Sequence, residues 1–440
     1  MLPFLAIAFM TRMTPSSSAP AANPAGIATR EPIPAAALSL VWPLTAALVL
    51  RLLWAWSVPV EPVSDSGIYD EFARSLAAGR GYAYADGQLT AYWPVGTAAL
   101  YGALYHVFGA GPVPIVVLNL LLGLLAVALT HALAQRYFDA RTAAVAAWFV
   151  ACWPLMIQFT TILASELLFL VLLMATLYAW GHRAIAPLPR AVLWGGFLCA
   201  AVYVRPTALP LFFILPLAQA WQERAWRDAS MSAVVAAIVA AAMLAPWALR
   251  NQALFGTPVL VSTNFGPNLW MGNNPDSTGV YMDLPSDAPS HEVERDRHLK
   301  RAAVEFILDN PQRYLALSLK RLVATFGRES IGVTWNEPAL RRSWGGGAIM
   351  PLKLLSSLYW AGLFTLALLG LGLALARGRI GVLHPLVLVG ALFVAVPVLT
   401  VGQDRYHVPL NGILAIFASW AVVWLKDRHA VTSASSRPTP

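Results

Sequence analysis

Long apolar runs separated by short polar breaks are the dominant pattern in this chain. Runs at 36–58, 113–134, 143–160, 165–180, 191–204, 208–221, 231–249, 352–376, 385–401 and 408–425 approach the roughly 20 residues that a membrane-crossing helix needs. A further run at 94–108 is only about 15 residues long, which suits an interfacial or re-entrant helix better than a crossing. The choice fixes the side of every later loop. If 94–108 does not cross, the pairs Arg136 and Arg141, Arg183 and Arg190, Arg224 and Arg227, Arg377 and Arg379, and Lys426 and Arg428 all fall on one side. The Lys/Arg bias marks that side as cytoplasmic. The pattern thus predicts ten spans with both termini inside.

Composition agrees. Of 440 residues, 58% are hydrophobic and 12% charged, with a mean hydropathy of +0.61; a soluble domain carries about twice that charge density. The net charge of +8 sits in clusters between apolar runs, which reads as the positive-inside pattern and not as a nucleic-acid surface. Cys152 and Cys199 lie inside apolar runs, so no structural disulfide is expected. The expected divisions are a disordered cytoplasmic tail at 1–35, an N-terminal transmembrane module at 36–249 with its first outer loop at 59–112, and a periplasmic segment at 250–350. A C-terminal transmembrane module at 351–426 and a cytoplasmic tail at 427–440 follow. The apolar start at 1–10 is too short to span and lacks a basic n-region and a cleavage site, so no signal peptide is expected.

The 250–350 segment is too polar to cross and predicts two helices split at Asn310-Pro311. Leu299, Ala303, Phe306 and Ile307 form one apolar stripe, and Leu315, Leu319, Leu322 and Phe326 another. Such helices either lie on the membrane surface or pack as an ordinary small domain. No internal repeat is visible, which argues against a transporter built from inverted halves.

The polar residues at outer span ends are the candidates for chemistry. Asp65 stands just past the first run, ahead of Ile68, Phe72 and Leu76 at helical spacing. A helix therefore starts at Ser64 or Asp65, and Asp65 is either its N-cap or a functional acid. Glu166 opens an apolar run, where a carboxylate needs a polar partner or headgroup water. Arg205, Arg250 and Arg405 also lie at outer ends, against the positive-inside bias. One alone would be a snorkelling side chain; three facing two carboxylates suggest a site for an anionic headgroup, since guanidinium binds phosphate bidentately. The eight histidines are scattered, and there is no H-E-x-x-H, Cys/His cluster, G-x-S-x-G or P-loop.

Taken in order, these pieces resemble bacterial glycosyltransferase family 39 of the GT-C superfamily, which includes protein O-mannosyltransferases and the aminoarabinose–lipid A transferase. The resemblance extends over about 36–425. It rests on Asp65 to Tyr69 with Ala73, Leu76, Gly79, Gly81 and Tyr82, then Tyr92-Trp93-Pro94, Ala164-Ser165-Glu166 and Arg205-Pro206-Thr207. Arg250-Asn251, Phe255-Gly256, Asn268-Leu269-Trp270, Gly272-Asn273-Asn274-Pro275 and Arg405-Tyr406 with Pro409-Leu410 complete it. Trp93-Pro94-Val95 stands where the aminoarabinose branch has Lys before Pro-Pro, and no D-x-D stands at the second acidic site.

The resemblance implies an all-α polytopic membrane protein, a GT-C helical bundle of about ten transmembrane helices with juxtamembrane helices embedded in the first outer loop. It implies an inverting glycosyltransferase that moves a sugar from a polyprenyl-phosphate donor to an envelope glycan, lipid or protein acceptor, with no nucleic acid partner. The enzyme would sit in the bacterial inner membrane with its active site facing the periplasm. Asp65 would be the acid-base residue, with Arg405, Arg205 and Arg250 on the donor phosphate. Glu166, Tyr69, Tyr406 and Asn268 would position sugar or acceptor. No cofactor is indicated; a divalent metal is allowed but not called for. The alternatives are a lipid-linked sugar flippase or transporter, which predicts ionisable groups near mid-bilayer, and a non-catalytic envelope-assembly protein, which needs no outer acid.

Overall fold

In the computed structural model, which describes residues 39–435, the apolar runs are helices. The expected tail at 1–35 and the last residues of the tail at 427–440 lie outside the described residues. The first helices are α1 (Val41–Ser57), α2 (Asp65–Ala77), α3 (Val95–Phe108), α4 (Pro112–Tyr137), α5 (Ala140–Ala151) and α6 (Pro154–Gln158). They are followed by α7 (Glu166–Gly181), α8 (Pro187–Val204), α9 (Leu211–Glu223), α10 (Trp226–Phe255) and α11 (Phe265–Gly272). The remainder are α12 (Glu292–Asp309), α13 (Pro311–Phe326), α14 (Ile331–Trp335), α15 (Glu337–Ser343), α16 (Ile349–Ala376), α17 (Pro385–Leu399) and α18 (Asn411–Ser435). Prolines start α4, α6, α8, α13 and α17, where the missing N–H has no intrahelical partner to lose. Among the described residues the only β-bridge is an isolated one between Ala83 and Leu89.

Five helices are long and apolar enough to cross a membrane, or six if the bent pair α5–α6 is one span. The chain is a multi-pass membrane protein. The remaining apolar helices, α1, α3, α7 and α17, are shorter than 18 residues. The run at 143–160 is not one straight helix: it bends by 53° between α5 and α6. Trp153 precedes Pro154, and a residue before proline is driven out of the helical region; it takes φ −68°, ψ 114°. The buried guanidinium of Arg51, on α1, meets the carbonyls that this break exposes, donating to Ala151 O at 3.1 Å and Val150 O at 3.4 Å.

α7 is apolar all round and buried all round, so it is the central helix. Its two ends separate two kinds of loop. Near its last turn, Arg136 Nη1 donates to Tyr178 O at 2.8 Å, and Arg379 donates to Phe138 O at 2.6 Å. Arg141 pairs with Asp427 and Arg183 with Glu223. At its first turn stand Glu166 and, close to it, Asp65, Arg205 and Arg405. α3 stays at this second end: the Tyr101 hydroxyl donates to Ala164 O at 3.0 Å. A Cβ on Gly96 would lie 2.7 Å from the Tyr203 carbonyl at the end of α8, so only glycine allows that approach.

α12 and α13 fall where the periodicity predicted them, but their stripes part company. Leu299, Ala303 and Phe306 are buried, whereas Leu315, Leu319 and Leu322 are exposed. The described residues form one compact unit. The expected boundary at 249–250 falls inside α10, which continues to Phe255.

Candidate active site

Four charged side chains from four separate loops meet at the α7 N-terminus. Asp65 is the first residue of α2. Its side chain caps nothing: the helix N-cap is Ser64, which makes no side-chain capping bond. Ser64 sits at φ +51°, a strained conformation for a residue with a side chain, and such strain gathers at functional sites. The N-cap reading of Asp65 is therefore corrected. Its Oδ2 accepts a hydrogen bond from Nη1 of Arg405.

Glu166 is fully buried at the first position of α7, where the helix dipole favours negative charge. Its Oε1 accepts from Arg205 Nη2 at 2.5 Å and stands 3.7 Å from Arg405 Nη1. Arg205 also donates from Nε and Nη2 to Ser165 Oγ, at 3.1 and 2.9 Å. The charges thus alternate as Asp65, Arg405, Glu166, Arg205. Burial alone would weaken the Arg405 guanidinium, but Asp65, Tyr406 and Glu166 more than offset this and hold it protonated. Its Nε donates to Gln403 Oε1 at 2.6 Å. Among the described residues, no hydrogen bond occupies Arg405 Nη2 or Arg205 Nη1, which leaves one amino group on each guanidinium for an incoming anion.

Aromatic rings complete the site. Arg405 lies 4.9 Å from the Trp335 ring centre and 5.5 Å from that of Tyr406, and Arg205 lies 6.0 Å from Tyr406. Tyr69, one turn along α2 from Asp65, is buried. Burial first, then the charges of Asp65 and Glu166, push its pKa up to about 12, so the hydroxyl remains a donor at ordinary pH. Asp70 faces elsewhere, bonded to Arg74 at 2.7 Å and Tyr105 at 2.6 Å.

Two expected residues are not brought to this cluster. Arg250 donates to Thr90 O and Asn251 Oδ1, both at 2.8 Å, and to Tyr82 O at 3.3 Å. It clamps the loop between α2 and α3 against α10, and Glu292 holds the same loop through Thr90 and Ala91. Asn268 returns its amide to Asn264 O at 2.7 Å. In the structure these side chains serve the backbone around them.

The sequence reading missed the brace behind Arg405. His407 and Glu329 are fully buried. His407 Nε2 lies 3.1 Å from Glu329 Oε1, and Trp153 Nε1 donates to both Glu329 oxygens at 3.0 and 2.9 Å. The His407 ring stacks on Trp360 with centroids 3.8 Å apart. On the other flank Asp404 accepts from Ser330 N and Oγ at 3.1 and 2.9 Å. Arg405 is thereby pinned on both sides to 325–330. The polar cluster Gln403-Asp404-Arg405-Tyr406-His407 between two apolar runs was the available signal.

Among the described residues, no three His, Cys, Asp or Glu side chains gather at one point. As the side chains stand, Asp65 and Glu166 are engaged by arginines, and a cation would find no third such ligand beside them.

The helical architecture that carries this acidic–basic cluster is a GT-C-type fold. The family model described as dolichyl-phosphate-mannose-protein mannosyltransferase matches residues 93–249. The fold is similar to that of the Archaeoglobus fulgidus oligosaccharyltransferase complexed with Zn and sulfate, at 15% identity and TM-score 0.55 over 88% of this chain and 49% of that one. It is also similar to the Archaeoglobus fulgidus oligosaccharyltransferase AglB in complex with an inhibitory peptide and a dolichol-phosphate (13%, TM-score 0.56, 91% and 52%). ArnT from Cupriavidus metallidurans bound to undecaprenyl phosphate is a third (16%, TM-score 0.53, 90% and 63%). The chain thus spans about half the length of the oligosaccharyltransferases and under two thirds of ArnT. No curated protein sequence was found to match it. These likenesses bear out the GT-C resemblance that the motifs carried.

Proposed function

We propose that this protein is an inverting glycosyltransferase that moves a sugar from a polyprenyl-phosphate donor to an acceptor in the envelope, on the periplasmic side of the inner membrane. One observation carries the reading. Asp65, Glu166, Arg205 and Arg405, from four separate loops, form a single partly buried cluster at the end of the bundle away from the basic loops. The bound lipid phosphates of AglB and ArnT support a lipid-phosphate ligand here.

The chemistry follows from the charge order. A carboxylate bonded to a guanidinium is a weak base. A donor phosphate competing for the free amino groups of Arg405 and Arg205 draws Arg405 away and releases Asp65. Asp65 then takes the proton of the acceptor hydroxyl or amine as that atom attacks the anomeric carbon. The bond from that carbon to the phosphate oxygen breaks, and its electron pair leaves with polyprenyl phosphate. Arg405 and Arg205 stabilise the developing charge, the largest electrostatic contribution in such a step. Glu166 orients the two arginines, and Tyr69 and Tyr406 wall the sugar.

The transporter alternative predicts ionisable groups near mid-bilayer. Arg51, buried within the apolar helix α1, is the candidate, but its bonds go to Ala47 O on its own helix and to backbone carbonyls at the α5–α6 break, which accounts for it structurally. The test is release of free polyprenyl phosphate from lipid-linked sugars extracted from bacterial membranes, with purified protein in nanodiscs, followed by mass spectrometry. Release coupled to a glycosylated envelope product is expected. Movement of intact lipid-linked sugar across the membrane without release would refute the reading.

A further inference from the structure

A groove along α13 leads to the cluster. A cavity of about 480 Å³ is bounded by Val323 and Ala324 of α13, by Tyr281, and by Gln403 and Asp404. Gln403 is the residue that accepts from Arg405 Nε, so the cavity ends one side chain from the Asp65–Arg405 pair. A second, shallower cavity shares Val323 and Ala324 and continues along the helix past Leu319 and Lys320. Beyond it runs the exposed stripe, with Leu315 64%, Leu319 67% and Val323 69% exposed.

The height of the stripe is fixed by its neighbours. α13 packs on α17, and Arg321 of α13 donates to Thr400 O just past the end of that apolar helix. The leucines therefore lie where the apolar bundle gives way to polar loops, the level of lipid headgroups. Two cations flank the groove: Lys320 beside the shallow part, and Arg328, 74% exposed, beside the deep part, its Nε 3.9 Å from the Asp404 carboxylate that lines the same cavity. They are separate from Arg205 and Arg405, which are buried and sit behind Gln403.

We propose that this groove seats an anionic phospholipid with a hydroxyl on its head, its chain along Leu319 and Val323 and its phosphate by Lys320 and Arg328, and that this lipid is the sugar acceptor. The inference rests on the transferase reading and names its acceptor class. The head hydroxyl forms the new bond to the anomeric carbon, its proton passes to Asp65, and polyprenyl phosphate departs with the electron pair of the broken bond.

The test uses the full-length protein in nanodiscs carrying phosphatidylglycerol or phosphatidylcholine with a photoreactive group on the acyl chain, adducts being mapped by mass spectrometry. Phosphatidylglycerol adducts are expected at 278–281 and 319–328, in excess over phosphatidylcholine. Lys320→Ala with Arg328→Ala, both at exposed positions, should lower that labelling about 20- to 30-fold, at roughly fivefold per cation. Saturating polyprenyl phosphate should leave it unchanged. Equal labelling by both lipids overturns the proposal. Displacement by polyprenyl phosphate overturns it too, by making the groove the donor's, as does displacement by a Ser/Thr peptide, by making the acceptor a protein. Polyprenyl-phosphate binding by Arg405→Ala, measured alongside, separates the two readings. If that binding is undiminished, the transferase reading fails; if it is weakened while the phosphatidylglycerol preference is absent, only the acceptor assignment fails.

Discussion

Nη1 of Arg405 is hydrogen-bonded to Oδ2 of Asp65 across 340 positions of the chain. Each partner restrains the other until an anion competes for the guanidinium. Arg405→Lys keeps the charge and loses the planar fork. The dissociation constant for polyprenyl phosphate should rise about tenfold for Arg405→Lys and about 100-fold for Arg405→Ala, the range of charged hydrogen bonds. Native mass spectrometry in nanodiscs reads both, and wild-type affinity in Arg405→Ala would remove Arg405 from the phosphate site and, with it, the transferase reading.

The brace behind Arg405 makes a second prediction. Glu329→Gln keeps the shape and one acceptor for Trp153 but alters the bond to His407. Burial holds the Glu329 carboxyl above the usual range, with His407 and Trp153 opposing that shift, so Gln should fold. If the brace acts through Arg405, Glu329→Gln and Arg405→Lys will be non-additive in polyprenyl-phosphate binding, by about 1 kcal/mol. Additive effects would reduce Glu329 to a packing residue. His407→Ala, which also loses the stack on Trp360, should destabilise by about 3–5 kcal/mol.

What could be read from sequence divides along a physical line. Asp65, Glu166, Arg205 and Arg405 were legible because each interrupts or ends an apolar run, where a charge must have a partner. Arg250 satisfies the same pattern, and Asn268 came only from the family resemblance, yet their bonds to Thr90, Tyr82 and Asn264 depend on how loops fold back, which no run length records. The Glu329–His407 contact joins residues 78 positions apart, and the Glu329–Trp153 contact joins residues 176 apart; neither has a periodicity. The α5–α6 bend was legible in Trp153-Pro154 but was read through as one span, because hydropathy is blind to backbone dihedrals. The exposed stripe of α13 shows the same limit, since its pattern predicts an apolar face without saying what covers it.

Tyr69 supplies a pH prediction. Its hydroxyl pKa is pushed up to about 12, so the neutral form persists well past the ordinary tyrosine range. Wild-type activity should therefore show no falling limb near pH 10 from this residue. Tyr69→Phe should lower turnover by roughly 3- to 10-fold, the weight of one hydrogen bond, without moving the profile. A limb near pH 10 that vanishes in Tyr69→Phe would contradict the assignment.

Orientation is tested by labelling. Ser66 and Ser277 are buried, so exposed Gln88 and Ser290 serve better as cysteine positions on the site end, with Ala225 on the other. Cysteines at 88 and 290 should react with a membrane-impermeant reagent in intact cells. One at 225 should react only after permeabilisation. The reverse pattern would place the cluster in the cytoplasm.

The central claim is that Asp65 is the base, and Asp65→Asn isolates it. Asn keeps an acceptor for Arg405, and since Asp65 caps no helix, the Tm should be nearly unchanged. The decisive measurement is the rate of polyprenyl-phosphate release by folded Asp65→Asn in nanodiscs, with Asp70→Asn as the control, because Asp70 bonds to Arg74 and Tyr105 outside the cluster. General-base catalysis contributes about 10²–10⁴ in rate, so release by Asp65→Asn should fall by that order while Asp70→Asn keeps most of its activity. Near wild-type release by a folded Asp65→Asn protein would contradict the account.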